Sequence, residues 1–203
     1  MLYVFAILAF SLLGLLTFHP RFHVIHEKFQ AGVSFYLTLI ATFVGVLLAI
    51  AISNYESQIK EQQDLIKLLN AASASVKTSH EYTQELHTYA LSLGKDEQQN
   101  FFQNNPPPYP EFIDALLYQS LVSKNLSEST LTDMNELQIN LKKSRDFLQI
   151  PLYLTLLELT LGVIDIEVQY QQGKIDDEQL SVGLQKLAAE ALKTQQAAPK
   201  LPE

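Results

Sequence analysis

AGVSFYLTLIATFVGVLLAIAI, Ala31 to Ile52, holds 22 residues without a charged side chain. Wound as an α-helix it extends about 33 Å, enough to cross the hydrocarbon core of a bilayer with some tilt. Small residues recur along it and just beyond its end at every fourth position, at Ala41, Gly45, Ala49 and Ser53. That spacing stacks them on one face, where another helix can approach closely, and the stripe is the candidate helix-packing site; the same spacing also arises by chance in an Ala-rich span. Thr38 and Thr42 flank it.

Downstream the helical period continues without a break. Ile52, Tyr55, Ile59, Gln62, Ile66, Leu69, Ser73 and Val76 fall on alternating three- and four-residue steps, the signature of a helix with one packed face. Leu65, Leu68 and Ala72 widen that face beyond a two-position seam, which suits a bundle better than an isolated coiled coil. The helix is expected to run to about Leu93 and stop at Gly94.

Upstream, Leu2 to Phe18 is a second run free of charge, about 25 Å as a helix and so at the short end of a span. It has neither the basic region before it nor the small-x-small site after it that mark a cleaved signal peptide. The expectation is a two-helix transmembrane hairpin with spans at about residues 2–18 and 31–52, in a multi-pass protein whose first partner is the lipid bilayer.

The connector His19 to Gln30 carries Arg21, Lys28 and three histidines, His19, His23 and His26. On a helix these three would share a face, a spacing that suits a metal or haem iron. Pro20 interrupts that helix and Glu27 is the one nearby carboxylate, so solvated histidines at headgroup level are the expectation and no metal or cofactor is assigned. Arg21 and Lys28 argue for a cytoplasmic connector and an extracytoplasmic domain. Lys60 and Lys67 after the second span match that count and leave the side open.

The chain carries −8 overall and only Arg21, Glu27 and Lys28 before Asn54, leaving −9 on the remainder. An acidic domain repels phosphate backbones, so nucleic acid is not expected as a partner. With no cysteine, disulfides, thiolate metal sites and Cys nucleophiles are excluded.

The expected domain spans residues 53–196 and is all-α, a bundle of about five helices followed by a flexible tail at 197–203. Lys95 to Pro110 reads as a loop ending in Pro106-Pro107-Pro108-Tyr109-Pro110, a stiff connector or a docking motif for aromatic-lined grooves. Phe112, Ile113, Leu116, Leu117 and Leu121 mark the next helix. A following one, capped by Ser127 or Ser129, presents Leu131, Met134, Leu137, Leu141 and Leu148. Leu152 to Ile164 is apolar enough to raise a third span. Glu158 near its centre would cost about 2.5–3.5 kcal/mol in lipid, and Asp165 and Glu167 close it at a length typical of a buried core helix. Gly173 ends this helix, Asp176 and Gln179 form a capping pair, and Leu180, Leu184, Leu187, Ala188 and Ala191 face inward on the last.

Enzymatic signatures are missing. There is no Gly-rich phosphate loop, no G-x-S-x-G and no H-E-x-x-H, and Glu81, Glu85 and His87 lack the spacing of a di-iron helix pair. His80 and His87 extend the frame of Ile59, Ile66 and Ser73, where a histidine could sense pH, yet Ser79, Glu81 and Thr83 beside them suggest a solvated helix end.

The run Phe35 to Glu56, with Lys60-Glu61 and Leu65-Ile66-Lys67-Leu68-Leu69 after it, resembles a pattern in uncharacterised bacterial membrane-anchored proteins in which an apolar span leads into a charged helix. The resemblance implies an anchored helical domain in the bacterial inner membrane, often on the cytoplasmic side, without catalytic residues. The Arg-rich flank that follows the span in those proteins is absent here. The expected function is a non-catalytic accessory or scaffold protein that self-associates or binds another membrane protein. The alternative is an oligomeric sensor or membrane-perturbing effector, with Ser34, Thr38 and Thr42 as a weak pore lining.

Overall fold

The computed structural model describes residues 12, 30–146 and 148–197. The expected first span, the connector with His19, His23 and His26, and the tail lie outside these residues apart from Leu12, Gln30 and Ala197. The described chain is all-helical, with seven helices: α1 (Gln30–Ala90), α2 (Lys95–Asn104), α3 (Phe112–Leu117), α4 (Ser120–Asn125), α5 (Glu128–Asp146), α6 (Ile150–Gln171) and α7 (Asp177–Ala197). It divides into two compact units, Met1–Lys60 and Glu61–Glu203.

In the first unit α1 is exposed along most of its surface. Val33, Leu37, Ile40, Val44, Leu47 and Ala51 are only half-exposed, and their alternating spacing puts them on one stripe. Thr38 and Thr42 donate their hydroxyl hydrogens to the carbonyls of Ser34 and Thr38, at 2.9 and 2.8 Å.

In the second unit α6 is the central element, as its composition predicts. Tyr153, Leu157, Thr160, Ile164, Glu167 and Gln171 are buried along it. The remainder of α1 packs antiparallel to α6: Gln62 donates to the Gln171 carbonyl near one end, and His80 meets Glu158 at 3.2 Å near the other. The buried face of α1 is Leu65, Leu69, Ala72, Val76, Ser79, Thr83 and Ala90. The expected seam is thus corrected by one position where it ran through Ile66 and Ser73, which are half-exposed. Leu65-Ile66 and Leu68-Leu69 are apolar in both frames, so the partner decides between them.

Antiparallel contact between α6 and α7 is close because each contributes a glycine. A methyl group at Gly162 would stand 2.8 Å from Leu187 Cδ1, and one at Gly183 3.1 Å from Ile166 Cδ1. The reciprocal pair Asp176 and Gln179 caps α7, each side chain accepting from the other's backbone N–H at 2.8 and 3.0 Å. The turn before it uses Gly173 at φ 68°, as a helix C-terminus favours.

The same left-handed position after α5 is filled by Leu148 at φ 54°. Gln149 N–H bonds to the Ser144 carbonyl and Leu148 N–H to that of Arg145, at 2.8 and 3.0 Å. A leucine there costs about 1–2 kcal/mol of backbone strain. Its side chain joins Leu86, Phe101 and Leu154 around a small second core of Ala90, Phe102 and Ile150.

That second core explains the main departure from expectation. Lys95 to Asn104 is helix α2, not loop: Gly94 lies at its N-cap, its N–H donating to Glu97 Oε2 at 3.2 Å, and Asp96 and Glu97 occupy the electropositive first turn. Phe101 and Phe102 supply the apolar face. The helix expected over Phe112 to Leu121 is split at Tyr118 and Gln119 into α3 and α4.

Candidate functional site

Three features distinguish this chain: an uncovered apolar helix, a buried carboxylate and a tied-down proline run. The first is the N-terminal half of α1. Among the described residues α1 is the one helix long and apolar enough to cross a membrane, and none of its most apolar 18 residues is buried. Ala41, Gly45, Ala49 and Ser53 are all exposed there. A methyl group at Gly45 would meet nothing within 4 Å. This small-residue stripe and the half-shielded stripe are centred roughly 140° apart around the helix. The structure therefore leaves the predicted packing residues open to an outside helix.

The second feature departs from the expectation for Glu167. Glu167 does not close the central helix but lies completely buried within it. Its Oε1 accepts from Ser127 N–H at 3.1 Å and Gln171 Nε2 at 2.8 Å, and its Oε2 from Ser127 Oγ and Thr130 Oγ1, both at 2.7 Å. Ser127 Oγ accepts in turn from Thr130 N–H at 3.3 Å, which makes Ser127, of the two candidates Ser127 and Ser129, the cap of α5. Four donors thus converge on this carboxylate beside the N-terminus of α5. The arrangement pins the start of α5 to α6.

In the third feature the Pro106–Pro110 run is used internally. Arg145 Nε donates to the Pro107 carbonyl and Tyr153 Oη to that of Pro108, both at 2.8 Å, while Tyr109 Oη donates to Asp114 Oδ1 at 2.7 Å. Gln138 and Lys142 also donate to Asp114, each at 2.6 Å, and the Lys142 ammonium stands 5.3 Å from the Tyr109 ring centre. Burial raises the Asp114 carboxyl, but the bonds from Lys142, Gln138 and Tyr109 outweigh it and hold its pKa below the ordinary value. Burial and the bond to Asp114 push the Tyr109 phenol well up, and burial does the same to Tyr153. With Pro107 and Pro110 buried, the run is a connector fastened to α5 and α6.

Of the histidines in the helical domain, His80 is mostly buried beside Glu158, which is exposed. Ser79 and Thr83, whose polarity suggested a solvated helix end, are buried; Thr83 Oγ1 returns its hydrogen to the Ser79 carbonyl at 2.6 Å. Among the described residues no three His, Asp or Glu side chains are placed to share a metal.

No family model, curated protein or solved structure matches the chain.

Proposed function

We propose that this chain is a membrane-anchored, non-catalytic interaction protein, an accessory or scaffold subunit of a bacterial inner membrane that acts by self-association or by binding another membrane protein. One observation carries the reading: α1 is a single helix, uncovered over its apolar half and built into a packed core over the rest. In this reading the apolar half lies in lipid and the remainder of the same helix belongs to the bundle outside it. Leu2 to Phe18 supplies the other arm of a hairpin in this reading, and the half-shielded stripe from Val33 to Ala51 has the spacing one neighbouring helix would give it. The opposite stripe of Ala41, Gly45, Ala49 and Ser53 is left for the partner.

Crosslinking in native membranes tests this. Wild type yields a discrete adduct, Gly45→Leu loses most of it because leucine forces two backbones apart, and Val46→Leu, about 100° around the helix, keeps it. A chain that stays monomeric and captures no partner contradicts the proposal.

A further inference from the structure

We propose that the groove between α5 and α7, floored by α6, seats a basic amphipathic helix of a partner protein. The inference rests on the interaction reading above and names the surface and its complement. The floor is apolar: Leu156 and Leu159 are half-exposed and Leu137, Val163 and Leu184 lie beneath. One wall is acidic, with Asp133 and Glu136 on α5. Among the described residues neither carboxylate has a cationic partner.

The acidic lining extends towards the N-termini of both helices, where Glu128 and Asp177 border the adjoining hollow. From Glu128 to Asn140 the wall rises about 18 Å, the length of some three helical turns. Burial, together with the neighbouring Glu136 charge, raises the Asp133 carboxyl above its ordinary value. An added cation would relieve that repulsion. A helix with leucines at i, i+3, i+4 and i+7 and Lys or Arg on its flanks satisfies floor and wall together.

The test uses the full-length protein in mild detergent and a fluorescent 16-residue peptide with a leucine face and Lys/Arg flanks. The control peptide has the same face and Glu flanks. The basic peptide binds and the acidic one does not; Asp133→Lys with Glu136→Lys weakens binding at least tenfold, and Leu159→Asn at least fivefold. The same charge reversal outside the groove, Glu81→Lys with Glu85→Lys, changes it less than twofold. Should Leu159→Asn lower the melting temperature, Asn140→Arg on the exposed rim reads the same site and also weakens binding.

No binding to wild type, or equal weakening by the two charge reversals, overturns the inference. So does a shift in self-association on reversing Asp133 and Glu136, which assigns the groove to a second copy. Failure here with crosslinked partners still captured in membranes overturns the groove alone, whereas loss of both overturns the proposed function as well.

Discussion

Among the described residues, Ala31 to Ile52 and Leu152 to Ile164 are the two long apolar helical stretches, and they end in different surroundings. The second is wrapped by protein, with Tyr153, Leu157, Thr160, Val163 and Ile164 buried. The first has no buried residue. The difference lies in what each stretch lacks. Leu152 to Ile164 is too short to span and contains Glu158, which reaches water and His80 from the bundle surface. Ala31 to Ile52 is long enough, and its only hydroxyl groups in mid-span are satisfied by its own helix. Hydrophobicity alone does not separate a core helix from a span; length and the fate of polar groups do.

The comparison breaks most sharply under one substitution made in both places. Leu157→Asp buries an unpaired carboxylate and should cost the bundle about 4 kcal/mol or more, seen as loss of the thermal transition in detergent. Val46→Asp on the exposed half of α1 should leave that transition in place. Instead it should reduce membrane insertion, by a penalty of about 2.5–3.5 kcal/mol. Equal effects on melting would show that both stretches are core.

Glu167→Ala comes next. It strands the Ser127, Thr130 and Gln171 donors in the interior and should destabilise the bundle by about 3 kcal/mol, with Glu167→Gln milder. Urea unfolding in detergent micelles checks this, and an unchanged midpoint for the alanine variant would remove Glu167 from the bundle's framework.

What the residues disclosed in advance follows from how local each signal is. The α5 positions Met134, Leu137 and Leu141 and the Asp176–Gln179 pair depend on neighbours within four residues and were legible, while the cap of α5 was narrowed to Ser127 or Ser129. Helix α2 was not, because its glutamines and asparagines hid Phe101 and Phe102, whose burial depends on Ile150. Glu167 was read as a helix end because its donors Ser127 and Thr130 lie some forty residues earlier. The Ala41–Ser53 stripe is a pattern in the sequence, and all four of its residues are exposed.

A smaller effect separates the bundle surface from its interior. Asp114→Asn should destabilise by about 1–2 kcal/mol at neutral pH by weakening the bonds to Lys142, Gln138 and Tyr109. The folded pKa of Asp114 is depressed, so its contribution is fully present above the unfolded value of about 3.9 and is lost as pH falls through the folded one. Melting curves of the two proteins should begin to converge as pH falls below about 4 and meet only below the folded pKa. A gap that persists in acid would assign the effect to packing.

The absence of cysteine permits the most direct test of the division between membrane and bundle, since any cysteine introduced is unique. In intact membranes permeabilised to reagent on both sides, Leu39→Cys, Phe43→Cys, Val46→Cys and Ile50→Cys should resist a water-soluble maleimide, although all four side chains are exposed on the protein itself. Tyr118→Cys and Ile139→Cys, more exposed still on the bundle, should react fully. Detergent should make all six reactive. Rapid labelling along Leu39 to Ile50 in intact membranes would contradict the account, because that stretch would then face water.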